Sequence, residues 1–324
     1  MSELRRVQRT PGGTFFVCLP KHWAELHGLQ KGSVVALSQT GDGKLLVDSK
    51  YDVEQQPRVA SLTVGPFLGR EIVGRYLLGF DIIRIDAKER IESNVRNLVK
   101  STANSLAGLM IVEETPSMIS LQCLMQQQPF TSPEKILQRN HASAARMIRD
   151  AANSFFSGDG ELARNVIERD VENNKFYFLL VRILRTAIQN PRLSEKLGIS
   201  PIECLDYRLA ASLIEGMGDA CVQVASNTIS INSVKLTDEL RKLLRELQST
   251  CSEASEQALK SFLTKDITVA ENVRSLRGKI DATYSNIEHA AKDNSLDLMP
   301  QILATGSFLK QIYERCVDMA DLVA

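Results

Sequence analysis

The spacing of apolar positions changes twice along this chain. Up to about residue 50 they fall in short extended runs, at 7–10, 14–19, 34–38 and 45–48. Pro11, Gly12 and Gly13 separate the first two runs, and Gly41, Asp42 and Gly43 the last two. Such connections are turn signals, so each pair reads as a hairpin. Between the hairpins Pro20 opens a short helix over residues 21–26, and Gly28 closes it. Four short strands in some forty residues cannot enclose a core of their own, so a unit like this interleaves with a second copy.

From about Arg58 to Gln126 longer elements alternate. Strands are expected at 59–64, 82–85, 109–112 and 119–124, and helices at 70–78 and 88–105. Ile91, Val95, Leu98, Val99 and Thr102 form the inward stripe of the second helix. The order β-α-β-α-β-β describes a compact α/β unit that ends at Gln126, Gln127, Gln128 and Pro129. No glycine-rich phosphate loop follows a strand, so the unit reads as a spacer or ligand-independent adaptor, with a small-molecule sensor as the alternative.

Beyond Ser132 the period is helical to the end. The expected helices cover 133–157, 161–189 and 201–226, then 237–264, 269–292 and 298–324. The third and sixth repeat one another: RLAASLIEGMGDACVQVA at 208–225 and SFLKQIYERCVDMADLVA at 307–324, offset by 99 positions. Each carries a Glu and an Asp four apart, Glu215/Asp219 and Glu314/Asp318, hence two carboxylates on one helical face. Two related three-helix bundles are the economical reading.

The 324 residues are 44% hydrophobic, enough for two or three cores, and 39 basic residues balance 39 acidic ones. No global field draws the chain onto nucleic acid or anionic lipid. The six cysteines show no C-x-x-C spacing and read as reduced core thiols. The start, MSELRRVQRT, lacks the apolar stretch of a signal peptide, and no run is long enough to span a bilayer. A cytoplasmic protein without membrane insertion is expected. No histidine (His22, His27, His141, His289) follows a Glu by three positions, as di-iron bundles require, and no nucleophilic dyad is signalled. A non-enzyme is expected, with His141 and His289 at the helix surface or core edge.

Gly13 and Thr14, Val17 to Lys21 (V-C-L-P-K), Gly28 and Leu29, and Lys31 and Gly32 resemble the SpoVT-AbrB domain, a swapped-hairpin dimeric barrel used for DNA binding. That resemblance implies a homodimer with Arg5, Arg6, Arg9 and Lys21 against DNA phosphates. Glu3 and Glu25 dilute the patch, and a merely solvated basic surface is the alternative. Trp23 reads as a half-buried anchor.

The helical half resembles the PhoU family, regulators of phosphate uptake, on Leu213 to Asp219 (L-I-E-G-M-G-D) and Ile312 to Asp318 (I-Y-E-R-C-V-D). Asp170 to Asn174 before Phe176 and Tyr177, and Arg277 to Asp281 before Thr283 and Tyr284, match the family's other acidic helix. As a whole the chain resembles the archaeal AbrB–PhoU regulators. The implied fold class is multidomain α+β: an AbrB-like swapped-hairpin β-barrel at 1–50, a small α/β middle domain at 58–126, and an all-α pair of PhoU-like three-helix bundles at 132–228 and 235–324.

The resemblance implies iron or zinc on carboxylates drawn from Asp170, Glu215, Asp219, Asp281, Glu314 and Asp318. Two motifs depart from the pattern: Asn174 stands where the second acid belongs, and Arg277 where the first does. An arginine beside Glu314 and Asp318 would take the place of a cation. The implied partners are DNA and a phosphate transporter ATPase or sensor kinase. The alternative is a protein-interaction adaptor whose first domain only dimerises.

Overall fold

The computed structural model describes residues 3–39, 43–49, 57–124, 132–231, 236–293 and 298–323. They divide into two compact units, Met1–Gln56 and Pro57–Ala324.

In the first unit β1 (Gln8–Arg9) pairs antiparallel with β2 (Phe15–Phe16), and β3 (Ala36–Gln39) with β4 (Leu45–Asp48). Helix α1 (Lys21–Leu26) lies between the ribbons in sequence, with Gly28 beyond it at φ 63°. Gly13, at φ 91°, turns the first ribbon where a side chain would be strained. Gly41 and Asp42 of the second expected turn lie outside the described residues.

The two ribbons share no hydrogen-bonded strand pair, so the expected barrel is not closed among the described residues of this one chain. The reason is size: strands of two and four residues cannot wrap round a core. None of the unit's described side chains is buried, and Phe15 (69%) and Leu45 (62%) stand in the open. Trp23, expected to be an anchor, is half-exposed and packs its ring on His27 at 4.8 Å.

The second unit opens with a sheet. Strands β5 (Val59–Thr63), β6 (Ile82–Asp86), β7 (Leu109–Glu114) and β8 (Met118–Cys123) lie in the order β5-β6-β8-β7, with β5 and β6 parallel and the other pairs antiparallel. Helices α2 (Leu68–Leu77) and α3 (Ser93–Asn104) supply Ile72, Tyr76 and Val99 to a core that takes Leu62, Ile83, Ile85 and Leu121 from alternate strand positions. Helix α3 starts five residues later than its periodicity suggests. Residues before it bond elsewhere: Ala87 N–H donates to the Ser117 carbonyl at 2.9 Å and Ile91 N–H to that of Pro116 at 2.8 Å. Leu98, expected inside, is 43% exposed, and Ala103 takes the buried position. The exit at Gln126 to Pro129 lies outside the described residues.

The remaining helices are α4 (Pro133–Ser157), α5 (Gly160–Gln189), α6 (Pro191–Leu197), α7 (Pro201–Ser230), α8 (Asp238–Thr264), α9 (Ile267–Ser275), α10 (Arg277–Ala290) and α11 (Met299–Ala320). Their ends follow local chemistry. Ser132, Asp159, Asn190, Thr237 and Asp266 accept backbone N–H groups at N-caps, and Ser200 with Glu203 closes a capping box ahead of Pro201. Helix α6 occupies what the sequence presents as a connection.

The middle helix of the second repeat, expected as one piece, is broken at Leu276 between α9 and α10. The buried Tyr313 hydroxyl donates to the carbonyls of Val273 (3.0 Å) and Arg274 (3.3 Å), withdrawing acceptors that the helix ladder would use. All long helices share one core, from Leu137 and Phe155 through Ile214 and Met217 to Leu244, Phe262, Ile312 and Tyr313. Five of the six cysteines are buried free thiols, and Cys18 is exposed. No described helix is long and apolar enough to cross a membrane.

The sheet is fastened to α5 chiefly by a buried arginine, with Arg58 adding an exposed hydrogen bond to Gln189 at 3.3 Å. Arg182, 7% exposed, donates to the carbonyls of Tyr76 (2.6 Å) and Phe80 (2.8 Å) and pairs with Asp81 at 3.2 Å. Asp81 also accepts Arg58 N–H at 2.8 Å, so the buried carboxylate meets two donors.

Candidate functional site

The duplicated acids lie where the middle and last helices of each repeat pack. In the first repeat α5 carries Asp170, Asn173 and Asn174, and α7 carries Glu215, Gly216, Gly218 and Asp219. Two glycines inside α7 are unfavourable for a helix unless something needs the space. A Cβ on Gly218 would lie 2.5 Å from the Asn173 amide nitrogen and 3.3 Å from Asp170 Oδ1, so α5 lies tight against α7 there. A Cβ on Gly216 would lie 3.1 Å from Nε of Arg315, which reaches across from α11.

The helices therefore bring Asp170, Glu215 and Asp219 into mutual electrostatic contact. Burial, and then Asp219, push the Asp170 carboxyl up; the Asn174 amide, donating to Oδ2 at 2.7 Å, pulls it back. Glu215 is pushed up to about 6 by burial first, then by Asp219 and Asp170, with Arg315 opposing. Asp170 Oδ1 and both amide atoms of the fully buried Asn173 are covered yet have no hydrogen-bond partner. Three carboxylates thus face the single guanidinium of Arg315, and the face keeps an excess of negative charge.

In the second repeat the same positions resolve the repulsion. Arg277, in the place of Asp170, grips Glu314 with both Nη atoms at 3.0 and 2.9 Å. Lys310 pairs with Asp281 at 2.6 Å, and Asp318 is exposed one turn beyond Glu314. The cation implied for these acids is thus replaced by the chain's own arginine and lysine, and a metal does not fit Glu314 and Asp281 as they stand. The first repeat keeps oxygen donors and an orphaned buried carboxylate atom, the chemistry of a hard-cation site. Among the described residues, however, no three His, Cys, Asp or Glu side chains converge closely enough to hold a metal ion.

Of the expected DNA contacts, Arg5 pairs with Glu3 at 2.6 Å and Lys21 with Glu25 at 3.7 Å. Arg9 lies over the Phe15 ring at 5.5 Å, and Arg6 is exposed. Half of the basic patch is therefore neutralised locally. His141, expected near the surface, is buried between α4 and α8, its Nε2 on Ser255 O (3.0 Å) and Oγ (2.8 Å). His289 lies on the surface of α10 with Nδ1 on Ser285 O.

Sequence reasoning missed Asn173 and Lys310, and it did not foresee that Arg315 reaches Glu215 of the first repeat. The glycines at 216 and 218 were the available sign of close approach on α7, but they do not name what approaches.

A PhoU domain is recognised at residues 137–228, which include Asp170, Glu215 and Asp219. No curated protein matches the chain. Among solved structures, PhoU from Pseudomonas aeruginosa superimposes with a TM-score of 0.52 at 18% identity, over 59% of this chain and 93% of that one. The phosphate transport system regulatory protein PhoU from Streptococcus pneumoniae gives a TM-score of 0.51 at 16% identity, over 59% and 91%. At such identities the likeness establishes a shared helical fold, and it extends well beyond residues 137–228.

Proposed function

We propose that this protein is a non-enzymatic, cytoplasmic regulator of phosphate uptake that works by docking its helical half on a transporter ATPase or sensor kinase. The observation that carries the reading is the acidic face of Asp170, Glu215 and Asp219 inside the PhoU domain, whose charge Arg315 only partly offsets. A basic patch on a partner would supply the missing positive charge, as Arg277 does within the second repeat. The test is phosphate uptake in cells lacking the chain, complemented with wild type or with Glu215→Lys/Asp219→Lys. Wild type restores regulation and the charge-reversed protein does not; equal complementation by both sinks the docking reading.

The first unit serves this reading as a dimeriser. Its four strands leave Phe15, Leu45 and the other large apolar side chains uncovered, and a second copy, the AbrB-like arrangement, would bury them. Light scattering of the full chain is expected to give a dimer, shifted toward monomer by Phe15→Ser/Leu45→Ser.

DNA binding and transcriptional control, through Arg5, Arg6, Arg9 and Lys21 doubled by dimerisation, is the second reading. The internal pairs on Arg5 and Lys21 favour the adaptor. No retardation of promoter fragments at low salt, or retardation unchanged by Arg5→Ala/Arg6→Ala/Arg9→Ala, would remove the DNA role.

Metal binding is proposed for the first repeat only. Asp170, Glu215 and Asp219 do not converge closely enough for this as they stand, so iron or zinc would have to draw them together, and it would then supply the positive charge the face lacks. Metal analysis of the purified protein, with Glu215→Ala/Asp219→Ala as control, decides it.

A further inference from the structure

A cavity of about 430 Å³ lies where α4 meets α8, the first helices of the two repeats, and it is lined by Asn153, Phe156, Ser157, Arg241 and Arg245. It belongs neither to the acidic face nor to the exposed apolar residues of the first unit. Its volume falls in the range of small-molecule sites and is many times that of one water.

The lining is cationic and short of partners. Arg241 is half-buried, and its Nε is covered without any hydrogen-bond partner. Arg245 lies over the face of the buried Phe156, its guanidinium carbon 5.9 Å from the ring centre. Neither arginine has an ion pair among the described residues, although Asp238 and Glu246 are near in sequence on α8. Ser157 spends its hydroxyl proton on the Asn153 carbonyl at 2.8 Å, leaving Oγ free to accept. Asp150, one turn before Asn153 on α4, is tied to Arg169 at 2.6 Å.

Two guanidinium groups one helical turn apart, with no carboxylate in the lining, suit an anion of charge two with several oxygens. A single planar carboxylate is satisfied by one arginine fork and leaves the second uncompensated. Phe156 provides the one apolar wall. We propose that this cavity binds a phosphoryl dianion, either inorganic phosphate or a phosphate monoester whose organic body fills the remaining volume. Arg241 and Arg245 hold the phosphoryl oxygens and the Asn153 amide donates to one of them. The proposal is independent of the docking reading.

The test is calorimetric titration of the full chain, in a chloride buffer, with inorganic phosphate and separately with adenosine 5′-monophosphate. Saturable one-site binding of either is expected, and Arg241→Gln or Arg245→Gln should weaken it by roughly tenfold or more. Lys242→Gln, an exposed neighbour outside the lining, should leave the affinity unchanged. Tighter binding of the nucleotide marks a monoester site, and binding of phosphate alone marks a free-anion site. Arg245 is exposed, so its substitution does not put the fold at risk. The proposal is overturned if neither compound binds at about 10 mM, a concentration that detects even the weakest specific sites. It is overturned equally if the arginine variants bind like wild type, or if Lys242→Gln weakens binding as much as they do.

Discussion

Glu215→Gln should stabilise the protein at neutral pH and do nothing at acid pH. Glutamine keeps the volume and removes the charge that burial, Asp219 and Asp170 disfavour. The sign follows from proton linkage. A carboxyl raised from 4.5 to about 6 on folding holds its proton longer in the folded than in the unfolded chain. The wild type therefore loses stability as pH rises through that window and carries the full penalty above it. The raised value corresponds to at most about 2 kcal/mol. Because the group is only half buried, solvent screening reduces this to about 1 kcal/mol.

In a unit of this size about 1 kcal/mol moves the unfolding midpoint by roughly 2 °C. Thermal unfolding followed by circular dichroism, from pH 4.5 to pH 7.5, measures it. The difference between variant and wild type is the quantity to read, because His141 titrates in the opposite direction. Burial lowers the pKa of His141, so the stability it contributes is lost as pH falls; that loss is common to both proteins and cancels. A Glu215→Gln protein less stable than wild type at pH 7.5, or a difference that is the same at both ends of the range, would refute the reasoning.

Arg182→Met should cost about 3–5 kcal/mol in urea unfolding, because it leaves Asp81 charged and buried and abandons two carbonyls; a loss below about 1 kcal/mol would mean the sheet is held by apolar contact and the Arg58–Gln189 bond without it. Gly218→Ala improves helix propensity but drives a methyl group into Asn173, so a net destabilisation of about 1–3 kcal/mol is expected by the same assay. Arg277→Ala removes a half-exposed pair and should cost no more than about 1 kcal/mol, while making Glu314 and Asp318 resemble the open face of the first repeat; a far larger loss would mark that pair as part of the core.

Periodicity alone located nearly every helix and strand, because caps and turns are local chemistry: Ser132 and Pro133 start α4, Gly158 ends it, and Ser200 and Glu203 box α7. The repeated Glu-x-x-x-Asp spacing likewise places paired acids on one face of α7 and of α11 whatever packs against them. What sequence left open depends on residues far apart in the chain. Tyr313 breaks the helix at Leu276, the Pro116 and Ser117 carbonyls delay α3, and Arg182 fastens the sheet. The two acidic faces differ for the same reason. Both helices read alike, but the charge opposite Glu215 is Asp170 and the charge opposite Glu314 is Arg277. Spacing along one helix fixes which side chains share a face; only packing between helices decides which charges meet, and with them whether a carboxylate is neutralised or left wanting a cation.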